Sequence, residues 1–164
     1  MKTVLVTGGF DPIHKGHIEY LKYAKELGDK LIVGLNSDHW LTRKKGQPFM
    51  DLENRAMVIQ SLSMVDEVII FNDEDNTANH AIHQVLQHHD NVIFANGGDR
   101  IKSFVPEYEK YKNDSRVKFV FNVGGEKTES SSWLLDKWKS PKTHYASGDT
   151  IKICIWERGS KLRS

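Results

Sequence analysis

The pattern with the most chemical content is Gly8-Gly9-Phe10-Asp11-Pro12-Ile13-His14-Lys15-Gly16-His17. It follows an apolar run, Thr3–Thr7, that reads as a buried strand. It precedes a helical period in which Ile18, Leu21, Ala24 and Leu27 share one face. Two glycines at a strand end let backbone approach a ligand closely, and Pro12 stiffens the turn. A helix that starts here offers unpaired N–H groups and the positive end of its dipole, a ready phosphate site. His14 and His17, flanking Lys15-Gly16, add imidazole donors, and Gly16 leaves room for a triphosphate against the backbone. The implied chemistry is the binding and activation of a polyphosphate.

The elements that must hold this turn come from the rest of the 164 residues. Leu31–Leu35, Glu67–Phe71, Val92–Ala95 and Val117–Phe121 read as further strands. Helical periods run over Leu52–Leu62 and Ala78–Gln87, and from Ser130–Ser132 to about Trp138. Strands alternating with helices predict an α/β, Rossmann-like, doubly wound parallel sheet of five strands. In such a sheet, ligands bind beyond the carboxyl ends of the strands, at the switch point. The segments to search are therefore 8–17, 36–46, 72–76, 96–100 and 122–132.

Composition excludes several classes. The net charge of +1 gives no global field toward nucleic acid or anionic lipid. One cysteine, Cys154, forms no internal disulfide, and no Cys/His zinc spacing occurs. No run is apolar for long enough to span a bilayer, and no secretory leader is visible at the start, so a cytoplasmic location is expected. A hydrolase elbow, a Walker lysine motif and a GxGxxG fingerprint are all absent. His80, His83, His88 and His89 read as a solvated helix face, since no carboxylate or cysteine completes a metal set.

These motifs together resemble the HxGH signature of the cytidylyltransferase-like nucleotidyltransferase superfamily. The resemblance covers about Lys2 to Lys137. It is closest to the adenylyltransferase domain of ADP-heptose synthase and to glycerol-3-phosphate cytidylyltransferase. It implies that His14 and His17 hold the triphosphate and stabilise charge at the attacked phosphorus, with the backbone of Gly8, Gly9 and Phe10, and Asp11 beside them, at the nucleotide. Asn36-Ser37-Asp38 resembles a triplet of the sugar-phosphate branch, which marks Asn36 and Asp38 for the acceptor. Leu41–Gly46 resembles its basic loop, marking Lys44 and Lys45 as phosphate contacts, and Glu53-Asn54-Arg55 resembles its helix-borne arginine, marking Arg55 with Lys44 as catalytic positive charge at the phosphates. Asn96-Gly97-Gly98-Asp99-Arg100 resembles the segment lining the base pocket. Glu129-Ser130-Ser131-Ser132 resembles the serine turn that cradles the distal phosphates. Lys127 stands where the cytidylyltransferases carry an arginine, and Trp133 replaces a smaller polar residue.

The expected activity is transfer of a nucleoside monophosphate, AMP before CMP, from a nucleoside triphosphate to a sugar or polyol phosphate, releasing pyrophosphate. Mg²⁺ is implied as cofactor, held through phosphates and water rather than by protein ligands. The alternatives are a non-catalytic nucleotide-binding domain, or an adenylyltransferase for a pantetheine-phosphate or nicotinamide-mononucleotide precursor. The catalytic domain is expected to span 1–139. Residues 140–164 read as an extension: Thr150–Trp156 alternates like a half-buried strand. That strand docks on the sheet of this domain or of a second copy, supporting a homodimer, or else it begins a further domain.

Overall fold

The computed structural model describes residues 1–98, 105–125 and 130–139. Asp99, Arg100, Lys127 and the extension from Ser140 lie outside the described residues. The chain divides into two compact units after Ser131, and the sheet with its flanking helices belongs to the first, Met1–Ser131.

Element order is β1 (Thr3–Gly8), α1 (Lys15–Glu26), β2 (Lys30–Leu35), α2 (Asp38–Lys45), α3 (Leu52–Gln60), β3 (Glu67–Ile70), α4 (Asn79–Leu86), β4 (Val92–Gly97), α5 (Pro106–Tyr111), β5 (Val117–Val123) and α6 (Ser131–Lys139). The five strands are parallel in the order β3-β2-β1-β4-β5. The order reverses between β1 and β4, so the switch point lies at the end of β1, where the HxGH motif begins.

Alternation along the central strands sorts side chains into two cores. Val4, Val6, Leu31, Val33 and Leu35 pack under α1 and α3 with Leu21, Ala24 and Ile59. Leu5, Ile32, Val92 and Phe94 pack on the opposite face with Ala81, Ile82 and Val85 of α4 and Tyr111 of α5. Burial on both faces is why these strands read as near-continuous apolar runs.

Two elements differ from the sequence reading. Residues 38–45, read as part of a basic loop, form α2. Ser37 caps it by accepting from the Trp40 N–H (3.0 Å), and it ends at Gly46 with φ +96°. Its last turn holds Arg43, Lys44 and Lys45, which favours the negative end of the helix dipole. The short helix α5 has no apolar periodicity long enough to detect, though Pro106 stands at its favoured first position.

The edge of β2 carries a pH-dependent contact. Asp66 accepts from the Lys25 ammonium and from the Leu31 N–H. The Lys25 hydrogen bond, outweighing burial, holds its carboxyl below the ordinary carboxylate value. A carboxylate with a depressed folded-state pKa stabilises above its unfolded pKa, and that contribution is lost as pH falls through the folded value. Asp66→Asn is therefore expected to cost about 0.5–1 kcal/mol near neutrality, the modest range of exposed pairs. The melting-temperature gap to wild type should close as pH is lowered through about 4 and below. A gap independent of pH would contradict this origin.

Candidate active site

The turn after β1 is built on a left-handed residue. Phe10 has φ +51°, uncommon for a bulky side chain. Its ring compensates by burying in the core under α1, edge-on to His17 with centroids 5.0 Å apart. The Phe10 side chain therefore packs inward, leaving backbone as what Gly8–Phe10 can present to a nucleotide. A Cβ on Gly9 would stand 2.8 Å from Leu41 Cδ2 of α2, so a larger residue there would have to displace the buried Leu41 side chain.

His14 and His17 form a reciprocal cap on α1. The Gly16 N–H donates to His14 Nδ1 (3.1 Å), and the His14 N–H donates to His17 Nδ1 (3.2 Å). The rings stack with centroids 3.8 Å apart. The N–H groups of His17 and Ile18 both donate to the His14 carbonyl. The helix N-terminus is thus largely satisfied by His14, which corrects the expectation that its bare N–H groups form the phosphate site. The geometry has a chemical consequence. With both Nδ1 atoms accepting, the neutral rings carry their proton on Nε2. Each imidazole passes the donor character of the helix start to its outer nitrogen.

The resemblance marks Arg55 as a positive charge for the phosphates, but the structure engages its guanidinium with protein groups. The residue is buried, 1% exposed. Its Nη1 donates to the carbonyls of Gly9 (3.1 Å) and Asn36 (2.8 Å), its Nε to the Met50 carbonyl (3.0 Å), and its Nη2 to Asp38 Oδ1 (2.6 Å). One guanidinium thus ties the HxGH turn, the end of β2, the start of α2 and the loop before α3. The amphipathic pattern of α3 gives no sign of this, because burial of a charge here depends on carbonyls from three distant segments.

Asp11 is the second clasp. It is 2% exposed, and its carboxylate accepts from the N–H groups of Phe49 (2.6 Å) and Met50 (2.7 Å). Lys45 donates to the Asp11 carbonyl, with its ammonium 3.5 Å from the carboxylate. Lys44 lies over the Trp40 ring, 4.7 Å from its centroid. Arg43 leaves the site and donates to the Asp73 carbonyl and Asn76. The basic run thus diverges: Lys45 sits at the turn, and Arg43 braces the loop after β3.

Asn36 and Asp38 are likewise engaged. Asn36 Nδ2 donates to Asp73 Oδ2 (3.0 Å), and Asp38 holds Arg55. Asp73, 3% exposed, also accepts from the Ser37 N–H and hydroxyl. The sequence pattern did not single it out, although an aspartate just after β3 stands where the topology places function.

On the other side of the switch point, Gly97 ends β4. A Cβ there would lie 2.9 Å from the Tyr20 ring, whose hydroxyl donates to the Ala95 carbonyl (2.7 Å). Gly98 comes next, with φ +66°. Asn122, itself at φ +59°, donates to the carbonyls of Gly98 (3.1 Å) and Gly125 (3.2 Å) in the amide orientation that satisfies both ends. Tyr20 and Asn122 therefore shape this edge, and neither carries a motif that would reveal it. Ser130 is buried, and the Ser131 hydroxyl donates to the Pro12 carbonyl (2.7 Å), bringing the serine turn onto the histidine turn across 119 residues. Ser132 lies in the first turn of α6.

Comparison with known proteins agrees with this geometry. The cytidylyltransferase-like family model matches residues 5–149. Bifunctional protein HldE of Helicobacter pylori is 35% identical over 145 residues, 87% of this chain and 28% of that protein. HldE of Haemophilus influenzae is 41% identical over 122 residues, 73% of this chain and 24% of that protein. The chain thus spans little more than a quarter of the length of these curated relatives. The crystal structure of a lipopolysaccharide core biosynthesis protein from Thermoplasma volcanium superposes with a TM-score of 0.59 at 31% identity, covering 74% of this chain and 96% of that one. A parallel sheet with the HxGH turn at its switch point, matched over most of its length by the family model, places the chain in the cytidylyltransferase-like family of nucleotidyltransferases.

Proposed function

We propose that this chain transfers AMP from ATP to a sugar or polyol phosphate and releases pyrophosphate. The observation that carries the reading is the convergence on one turn of two segments that the resemblance assigns to phosphate: the paired histidines capping α1 and the serine turn Ser130-Ser131, joined through Ser131 and Pro12. The choice of a sugar or polyol phosphate and of ATP draws on the likeness to HldE and on Gly97-Gly98-Asp99.

The reaction asks for positioning and charge neutralisation more than covalent chemistry. An acceptor phosphate oxygen attacks the α-phosphorus. A new oxygen–phosphorus bond forms as the bond to the bridging oxygen of pyrophosphate breaks. No side chain needs to remove a proton, because the acceptor phosphate is already anionic near neutrality. His14 and His17 donate from Nε2 to phosphate oxygens that gain charge. Lys44 and Lys45 add positive charge, while Arg55 and Asp11 hold the turn in register. Gly97, Gly98 and Asp99 border the base, with Arg100 beside them. Ser130, Ser131, Ser132 and Lys127 serve the distal phosphates. Mg²⁺, when bound, would be held mainly by the nucleotide phosphates and water rather than by protein ligands, and would neutralise phosphate charge. Among the described residues, no group of three or more His, Cys, Asp or Glu is placed to hold a metal.

The test is pyrophosphate release on mixing ATP or CTP with a panel of sugar and polyol phosphates. ATP is expected to support turnover and to bind about tenfold tighter than CTP by calorimetry, the equivalent of roughly one good hydrogen bond. Tighter CTP binding would reverse the donor assignment. Nucleotide binding with no pyrophosphate from any pair would favour a non-catalytic nucleotide-binding domain.

A further inference from the structure

The ladder between β1 and β4 pairs Thr3–Leu5 with Val92–Phe94. Both strands run on, to Gly8 and Gly97. Beyond the ladder β1 stays paired with β2 and β4 with β5, and this is where a switch-point crevice forms. Asn96 stands in that stretch of β4. Its neighbours Ile93 and Ala95 belong to the core under α1, and Val92 and Phe94 to the core under α4. The β4–β5 register shifts between Ala95 and Gly97, but a Cβ on Gly97 would meet Tyr20 of α1, so Ala95 and Gly97 both face α1 and Asn96 between them faces α4. It is 3% exposed, and its Nδ2 has no hydrogen-bond partner among the described residues.

A second such atom lies at the same end of the same face. The helix α4 returns the chain between two parallel strands, β3 and β4, and packs on β1 and β4. Its first residue, Asn79, therefore lies at the carboxyl ends of the strands. Asn79 Oδ1 is buried and also has no partner among the described residues. Buried polar atoms are nearly always bonded, because one left alone forfeits its hydration without replacement. Here one orphan is a donor and the other an acceptor. A phosphate or carboxylate would satisfy Nδ2 and repel Oδ1, while an ammonium would do the reverse. A hydroxyl both accepts and donates, so it suits both.

We propose that Asn96 and Asn79 read the non-reacting hydroxyls of a polyol or sugar phosphate acceptor. The proposal rests on the transferase reading above and deepens it.

The test uses calorimetric binding of propyl phosphate, glycerol 3-phosphate and a pentose phosphate to the full chain, with a non-hydrolysable ATP analogue present. Wild type is expected to prefer the hydroxylated esters to propyl phosphate by at least about tenfold, since a polar site rejects an analogue that leaves its groups unpaired. Asn96→Asp keeps the size but removes the donor, and is expected to abolish the preference, as is Asn96→Leu. Asn79→Asp keeps an acceptor oxygen and should retain it, whereas Asn79→Leu should lose it. Binding of the ATP analogue alone should stay within about twofold in the Asn79 variants that melt as wild type, because the contact proposed for Asn79 is to the acceptor. The proposal is overturned if wild type shows no hydroxyl preference, or if Asn96→Leu and Asn79→Leu both keep it, which would make the two amides water-bonded structural groups. Hydroxyl-sensitive binding without pyrophosphate release would remove the transferase reading and leave this one standing. Pyrophosphate release at equal rates with propyl phosphate and the hydroxylated esters would do the opposite.

Discussion

Replacing His17 with alanine is expected to lower turnover by about 10²–10³, the usual cost of losing one preorganised donor to a charge that develops in the transition state. His14→Ala should do the same and also lose stability. His14 Nδ1 accepts the Gly16 N–H, so the side chain caps α1 as well as facing the site. Loss of a cap costs about 0.5–2 kcal/mol. Asparagine separates the two roles. His14→Asn should restore the cap, and with it the melting temperature, but not the outer N–H donor or the turnover. Steady-state pyrophosphate release and thermal melts of the variants measure both quantities. Near-normal turnover in both alanine variants would mean that the histidines are caps and nothing more. Recovery of turnover by His14→Asn would mean that the donor role is misassigned.

The largest effect on stability is expected at Arg55. Arg55→Leu leaves the carbonyls of Gly9, Asn36 and Met50 and the Asp38 carboxylate without their shared partner. Breaking a buried charge pair from one side typically costs about 3–5 kcal/mol. Lysine should not rescue it, because an ammonium on a flexible stem cannot reproduce the four directed bonds of the planar fork. Denaturant unfolding of Arg55→Leu, Arg55→Lys and Asp38→Asn tests this. Asp38→Asn should cost less, since the carboxylate side chain is 41% exposed and its loss leaves three carbonyl bonds in place. A cost below about 1 kcal/mol for Arg55→Leu, the level of an exposed pair, would show that the guanidinium is not the hub. If stability held while turnover collapsed, Arg55 would act on phosphate directly rather than by placing the turn.

Much of this site was legible in the chain because its decisive parts are local. Gly8-Gly9 at a strand end, His14 and His17 at helix-start spacing, and the serines at the start of α6 each declare themselves within a few residues. The α2 helix was also announced by Ser37 as cap, Asp38 behind it, three basic residues at the end and Gly46 as stop. Its eight residues carry little apolar periodicity, so the basic charge run dominated the reading. Asp11, Arg55, Asp73 and Asn122 were illegible in their roles for a different reason. Each works by bonding backbone from segments far away in sequence, and nothing local distinguishes such a residue from a solvated one.

The sequence by itself determined the five strands, their parallel sense and the histidine pair, because hydrophobic period and helix-start chemistry act over ten residues or fewer, while the strand order, and with it the switch point at the end of β1, came from the tertiary structure. Tertiary structure alone decided which polar groups face a ligand and which hold the frame. It sent Arg43 to the β3 loop and Lys45 to Asp11, buried Arg55, turned both histidine Nδ1 atoms inward, and left an amide atom of Asn96 and of Asn79 without a partner among the described residues. Those outcomes depend on which carbonyls, carboxylates and N–H groups the folded chain brings within about 3 Å, the reach of a hydrogen bond.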